Sequence, residues 1–201
     1  VIWIATINRS QGVGAFDTET RTYIGNWTGP GCTQPYGIAV DRDGNVWWGN
    51  WACGGIERLD RRALDLEDRI DIRSYGSQRQ TRGIAVDGEG FVYVASSTDN
   101  TLSKFDPATE RFVWEAPTCT TPIGVGISNG GDIWTMCNNS NQAQRFNRDG
   151  TLLTTLPVGS RPYSYSDMTG FQLRNFTAPR GSWSTVFDCG YEVCNFDEVF
   201  W

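Results

Sequence analysis

The chain has no histidine, a single lysine (Lys104) and no apolar run near the roughly eighteen residues that cross a bilayer as a helix. Without imidazole, Ser-His-Asp and Cys-His catalytic arrangements and mixed Cys/His zinc sites are excluded. The six cysteines contain no closely spaced CxxC pair, which removes an all-cysteine zinc site, and no Walker-type glycine loop occurs. Basic residues number 17 against 23 acidic ones, a net charge of −6, so there is no basic stripe to track a nucleic-acid backbone. Helix-forming sequence is also scarce: the one candidate, Arg61–Arg69, is too short and too charged to organise a fold. No charged-then-apolar export signal opens the chain. Beginning on Val1 inside an apolar strand pattern and ending on Glu198-Val199-Phe200-Trp201, it reads as processed or cut from something longer.

What is present is glycine and aromatic side chains, 23 Gly with 9 Trp, 10 Phe and 7 Tyr, which favours short strands joined by frequent turns. A repeat organises them. Pro35–Trp47 (PYGIAVDRDGNVW) returns as Thr81–Tyr93 (TRGIAVDGEGFVY) and as Pro122–Trp134 (PIGVGISNGGDIW). Each copy is strand, tight turn, strand, with an acceptor opening the turn and a glycine where positive φ is needed. Third strands follow at Val13–Asp17, Ile56–Asp60, Leu102–Asp106 and Ala143–Asn147, and short fourth runs such as Thr22–Trp27 and Arg111–Trp114 complete each unit. The Asp or Asn closing the third strand recurs at 17, 60, 106 and 147, a period of forty-odd residues. That is the period of a four-stranded propeller blade and not of a helical solenoid.

The expected fold is therefore all-β, a β-propeller over 1–170, with a short β extension or the start of a second β domain over 171–201. The chain opens on the second strand of one blade, holds three full blades, and reaches another first strand at Pro162–Gly170. That strand could close a four-bladed ring with the amino-terminal three. Consecutive blades of a six- or seven-bladed ring are the preferred expectation, because small rings are uncommon.

In such a blade the loop into the first strand and the loop between the second and third strands share one end. Cys32 and Cys119 precede the openers Pro35 and Pro122, and Cys53 and Cys137 follow the second strands of the same blades. The expected disulfides are Cys32 with Cys53 and Cys119 with Cys137, each closing a loop of about twenty residues. Cys189 and Cys194 would clip a local hairpin. Paired cysteines place the protein in an oxidising setting: extracellular, cell-surface or periplasmic.

The run Pro-x-Gly-Ile-Ala-Val-Asp-x-x-Gly-Asn-Val-Trp, most complete at 35–47, resembles NHL-type propellers and especially the streptogramin (virginiamycin B) lyase-like group, over about 1–170. In that group the blade-opening motif typically carries histidine after the proline, and histidine with a divalent metal features in the active site. The matching positions here are Tyr36, Arg82, Ile123 and Tyr163. The resemblance thus implies the fold, while the lyase's histidine is missing from these positions.

Candidate ligand-binding residues at the channel mouth are Tyr36, Arg82 and Tyr163, which open inner strands, with Asn50 and Trp51 at the end of a second strand on the same face. Trp51 is either a recognition aromatic or a lid on the neighbouring disulfide. Asp41–Asn45 has the look of a calcium loop but lacks a distal glutamate, and a hairpin turn is the expected reading. The sequons at Asn26, Asn138 and Asn175 matter only on a eukaryotic-type secretory route. The overall expectation is a binding or structural module without catalytic residues or a cofactor, calcium or another divalent ion being the alternative. Its partner would be a protein, further copies of itself, or a small ligand at the mouth. A metal-dependent lyase- or lactonase-like enzyme is the alternative of a different class.

Overall fold

A computed structural model describes residues 1–7, 12–30, 34–60 and 71–164. The charged stretch 61–69, Cys32, Cys189, Cys194 and the expected extension 171–201 lie outside the described residues. So does most of the strand expected at 162–170, whose first residues, 162–164, are not in strand conformation.

The first sheet has three strands, β1 (Ile2–Ala5), β2 (Val13–Asp17) and β3 (Thr22–Trp27), as expected of a blade entered at its second strand. Three four-stranded antiparallel sheets follow in simple meander order. One comprises β4 (Pro35–Val40), β5 (Val46–Asn50), β6 (Ile56–Leu59) and β7 (Ile72–Tyr75). The next comprises β8 (Thr81–Val86), β9 (Val92–Ser96), β10 (Thr101–Asp106) and β11 (Arg111–Pro117), and the last β12 (Pro122–Ile127), β13 (Ile133–Cys137), β14 (Gln142–Phe146) and β15 (Leu152–Pro157). The first strands β4, β8 and β12 pack side by side. This is the radial arrangement of a propeller, and among the described residues no helix is long and apolar enough to cross a membrane.

Three apolar cores lie between consecutive sheets. Val13 and Trp27 meet Val46, Trp48 and Leu59; Trp47 and Ile56 meet Val92, Val94 and Phe105; Tyr93 and Leu102 meet Val125, Ile133 and Phe146. Because a strand sends successive side chains to opposite faces, Trp47 and Trp48 serve different cores. This explains why β5 and β9 are buried at every position. A sheet covered on both faces reads as a continuous apolar run and not as an alternation.

The hairpin turn is built by its acidic first residue. Asp41 Oδ1 accepts the amides of Asp43 (3.0 Å) and Asn45 (2.9 Å), while Oδ2 accepts Asn45 Nδ2 and Trp47 Nε1, both at 2.9 Å. Asp87 repeats the pattern with the amides of Glu89 and Phe91 and the hydroxyl of Tyr93. Burial, with Asp87 beside it, pushes the Tyr93 phenol up, keeping it a donor. Gly44, Gly90 and Gly131 hold φ of 86°, 95° and 85°, the left-handed conformation the turn requires. In the third copy Ser128 takes over the acceptor role, its hydroxyl receiving the Asp132 amide. The Asp41 oxygens are thus committed to their own turn, as a hairpin demands.

Replacing Asp87 with Ala strands the Phe91 amide and the buried Tyr93 hydroxyl at once. The expected loss is about 2–3 kcal/mol of stability, read from urea unfolding, with Asp87→Asn losing less because it keeps an acceptor. An Asp87→Ala protein within about 0.5 kcal/mol of the parent would contradict this account of the turn.

Candidate functional site

The blade-opening ends of the sheets form one surface. Pro35 pairs with Asn50, Thr81 with Ser96 and Pro122 with Cys137, which places the loop into each first strand beside the loop leaving each second strand. Backbone bonds seal the two loops together, from the amides of Trp51, Ser97 and Asn138 to the carbonyls of Gln34, Gln80 and Thr121. The Cys119–Cys137 disulfide lies at this end, with a Cα separation of 5.8 Å. Cys53 is also disulfide-bonded. Its expected partner, Cys32, is outside the described residues.

Neighbouring blades are clipped at the same end. Thr81 Oγ1 accepts the Asn50 amide at 2.6 Å and lies 2.6 Å from the Gly55 carbonyl, to which its own proton can go. The Ser97 hydroxyl donates to the Pro122 carbonyl, and Asn138 Nδ2 donates to the Pro162 carbonyl at 2.9 Å. Thr81 is fully buried and Asn50 is 2% exposed. Sequence reasoning missed Thr81 and Ser97, since nothing local marks a hydroxyl whose partner is on another blade.

Of the five expected site residues, the structure brings three together. Tyr36 and Trp51 stack with ring centroids 5.4 Å apart and planes 25° from parallel. The Arg82 guanidinium, from the next blade, sits 4.1 Å from the Trp51 ring centre and 5.7 Å from that of Tyr36. A sandwich with Trp51 in the middle would separate Arg82 from Tyr36 by nearly the sum of the other two distances, so the three groups form a triangle. All three are partly exposed. Burial draws the Arg82 guanidinium below its ordinary pKa, with the neighbouring Tyr36 acting the other way.

Asn50 is at the same end. Its side chain lines a cavity of about 130 Å³ together with Gly54, Glu57 and Ser74, where its Nδ2 is 3.4 Å from the Gly54 carbonyl and its buried Oδ1 has no hydrogen-bond partner. Glu57, which the sequence did not single out, is fully buried there and accepts Trp48 Nε1 at 2.6 Å and the Ser74 hydroxyl at 2.8 Å. Tyr163 stands beyond Pro162 at the same end, 48% exposed, on the segment that follows β15. Ile123, at the position equivalent to Tyr36 and Arg82, is buried.

At the opposite end, a cleft of about 370 Å³ runs between the turns carrying Asp41, Asp43, Glu89 and Asp106. Its acids are largely spoken for. Asp41 and Asp106 bond within their own turns and Glu89 pairs with Arg148. Among the described residues no group of three or more Cys, Asp or Glu is placed to hold a metal ion.

Comparison with known proteins agrees with this architecture. A β-propeller repeat family, SBBP, matches residues 75–102, spanning β8 and β9. No curated protein matches the chain. Among solved structures, virginiamycin B lyase from Staphylococcus aureus superposes with a TM-score of 0.68 at 18% identity, over 84% of this chain and 57% of that one. A streptogramin B lyase gives 0.66 at 17% identity, over 79% and 52%. A domain described as the extracellular part of a one component system from B. thetaiotaomicron gives 0.60 at 20% identity, over 80% and 23%. The chain is a β-propeller of four-stranded blades. Its fold is that of the streptogramin B lyase-like propellers, and it spans about half the length of those lyases.

Proposed function

We propose that this chain is part of an extracytoplasmic propeller acting as a binding module, with the disulfide-bearing end as its contact surface. The observation that carries the reading is the convergence of Tyr36 and Trp51 from one blade with Arg82 from the next. Partly exposed aromatic and guanidinium groups held by rigid strands are the usual anchors of a recognition surface. Among the described residues no cysteine is free, which supports an oxidising compartment. A fold shared with lyases carries no activity by itself. A catalytically inactive histidine-to-alanine variant of the Staphylococcus aureus lyase was solved with quinupristin, whereas this chain's 201 residues include no histidine.

The test is a protein-observed NMR screen of a fragment library against the ¹⁵N-labelled 201-residue chain. Hits should perturb the Trp51 indole signal and weaken at least about tenfold in Trp51→Ala. Hits that leave Trp51 untouched, or bind the variant equally, would move the contact surface elsewhere. Alkylation of the protein in its native source should find Cys119 and Cys137 blocked; free thiols there would remove the extracytoplasmic assignment.

A further inference from the structure

Arg82 has no carboxylate among the described residues to neutralise it, whereas four other arginines do. Arg73 pairs with Asp71 and Glu110, Arg79 with Asp99, Arg145 with Asp132 and Arg148 with Glu89. Among the described residues no carboxylate lies within ion-pair distance of Arg82, whose Nε is buried with no hydrogen-bond partner. Its contacts are the two rings, which attract the cation through their faces but supply no acceptor for the donors on the guanidinium edge. A buried guanidinium N–H without an acceptor is costly, and the planar fork of donors matches an oxyanion.

We propose that the Tyr36–Trp51–Arg82 triangle is an oxyanion site, whose ligand carries a carboxylate or phosphate on the Arg82 edge beside the aromatic pair. The inference rests on the binding-module reading and names its ligand chemistry. The two rings hold the guanidinium in one orientation, so the donor edge is presented before a ligand arrives and little side-chain freedom is lost on binding. A carboxylate on a flat ring gains twice, from the fork and from packing beside Trp51. Inorganic phosphate gains from the fork alone.

The test is titration of the ¹⁵N-labelled 201-residue chain with sodium benzoate, with inorganic phosphate and with neutral benzamide at fixed ionic strength, following the Arg82 Nε–H and Trp51 indole signals. Benzoate is expected to shift both saturably, with Kd on the order of 1 mM, and to weaken as salt is raised. Phosphate that shifts Arg82 Nε–H more tightly than benzoate supports the oxyanion site and assigns it to phosphate esters. Arg82→Gln should weaken the preferred anion at least about tenfold, and Arg82→Lys less, with the other amide signals unchanged as proof of folding. The proposal is overturned if neither anion moves Arg82 Nε–H up to about 50 mM, far above the expected Kd, or if Arg82→Gln binds benzoate as the parent does. Benzamide binding at Trp51 as tightly as benzoate would overturn the oxyanion site while leaving the binding module standing.

Discussion

Gly83→Ala is expected to cost about 3 kcal/mol or more, and Gly83→Val to prevent folding, although neither change touches a core side chain. A Cβ at Gly83 would lie 2.3 Å from the Ile123 carbonyl oxygen, 2.7 Å from Gly124 C and 2.7 Å from Val125 N. All three are backbone atoms of the next blade's inner strand, which have no rotamer to change. Gly37 stands in the same relation to the Arg82 carbonyl, at 2.0 Å. The third residue of the blade-opening motif is glycine because inner strands converge on the axis. Gly90→Ala provides the comparison, since nothing lies within 4 Å of its Cβ and only its φ of 95° is violated. That strain alone is worth roughly 1–3 kcal/mol. Urea midpoints followed by tryptophan fluorescence measure all three. Equal losses at Gly83 and Gly90 would show that the inner strands are not packed this closely.

Opening the Cys119–Cys137 bridge is the second large effect. The bond joins residues 18 apart in sequence, and the chain-entropy relation for a loop of that size gives about 3 kcal/mol. A Cys119→Ser, Cys137→Ser double variant should lose that amount of stability. Its hydrogen exchange should quicken first in β12 and β13, because Pro122 and Cys137 are the paired residues where those strands meet. The Cys119 amide still donates to Gln144 Oε1 at 2.8 Å, so the loop keeps one tie to β14. An unchanged midpoint, or exchange that quickens equally in β8 and β9, would rule out a staple acting on one blade.

Fold and repeat were legible in the sequence because their causes are local. An acidic residue that binds its own turn amides, a glycine at positive φ and an aromatic two strand positions later leave the same mark wherever they occur. Even the third copy, with Ser128 in place of Asp, keeps enough of it. The site was legible only in outline. Tyr36, Trp51 and Arg82 were placed at one end by blade register, but their meeting depends on the lateral spacing of two blades, which no single blade encodes. Asn50 was assigned to the same end, but that it lines a cavity there with Cys53 and Gly54 was not legible, since a side chain at a strand end can turn either way. Glu57 was overlooked because a charged residue on a third strand is ordinarily solvated. The signal was available in Trp47-Trp48: two successive indoles on a strand buried from both sides require two acceptors, which Asp41 and Glu57 supply. Lys104 shows the same limit. The chain's one lysine is nearly buried, its Nζ 3.8 Å from the Phe91 ring centre, a contact between a third strand and a turn residue.

The clips Asn50–Thr81 and Ser97–Pro122 each bind a blade to the one that follows it, and Asn138–Pro162 ties the last described sheet to the segment after β15. Mechanical load or thermal fraying introduced at one seam is therefore passed on link by link, each junction resisting with its own share of the total. A protein so assembled can loosen at a single junction while the remainder keeps its shape.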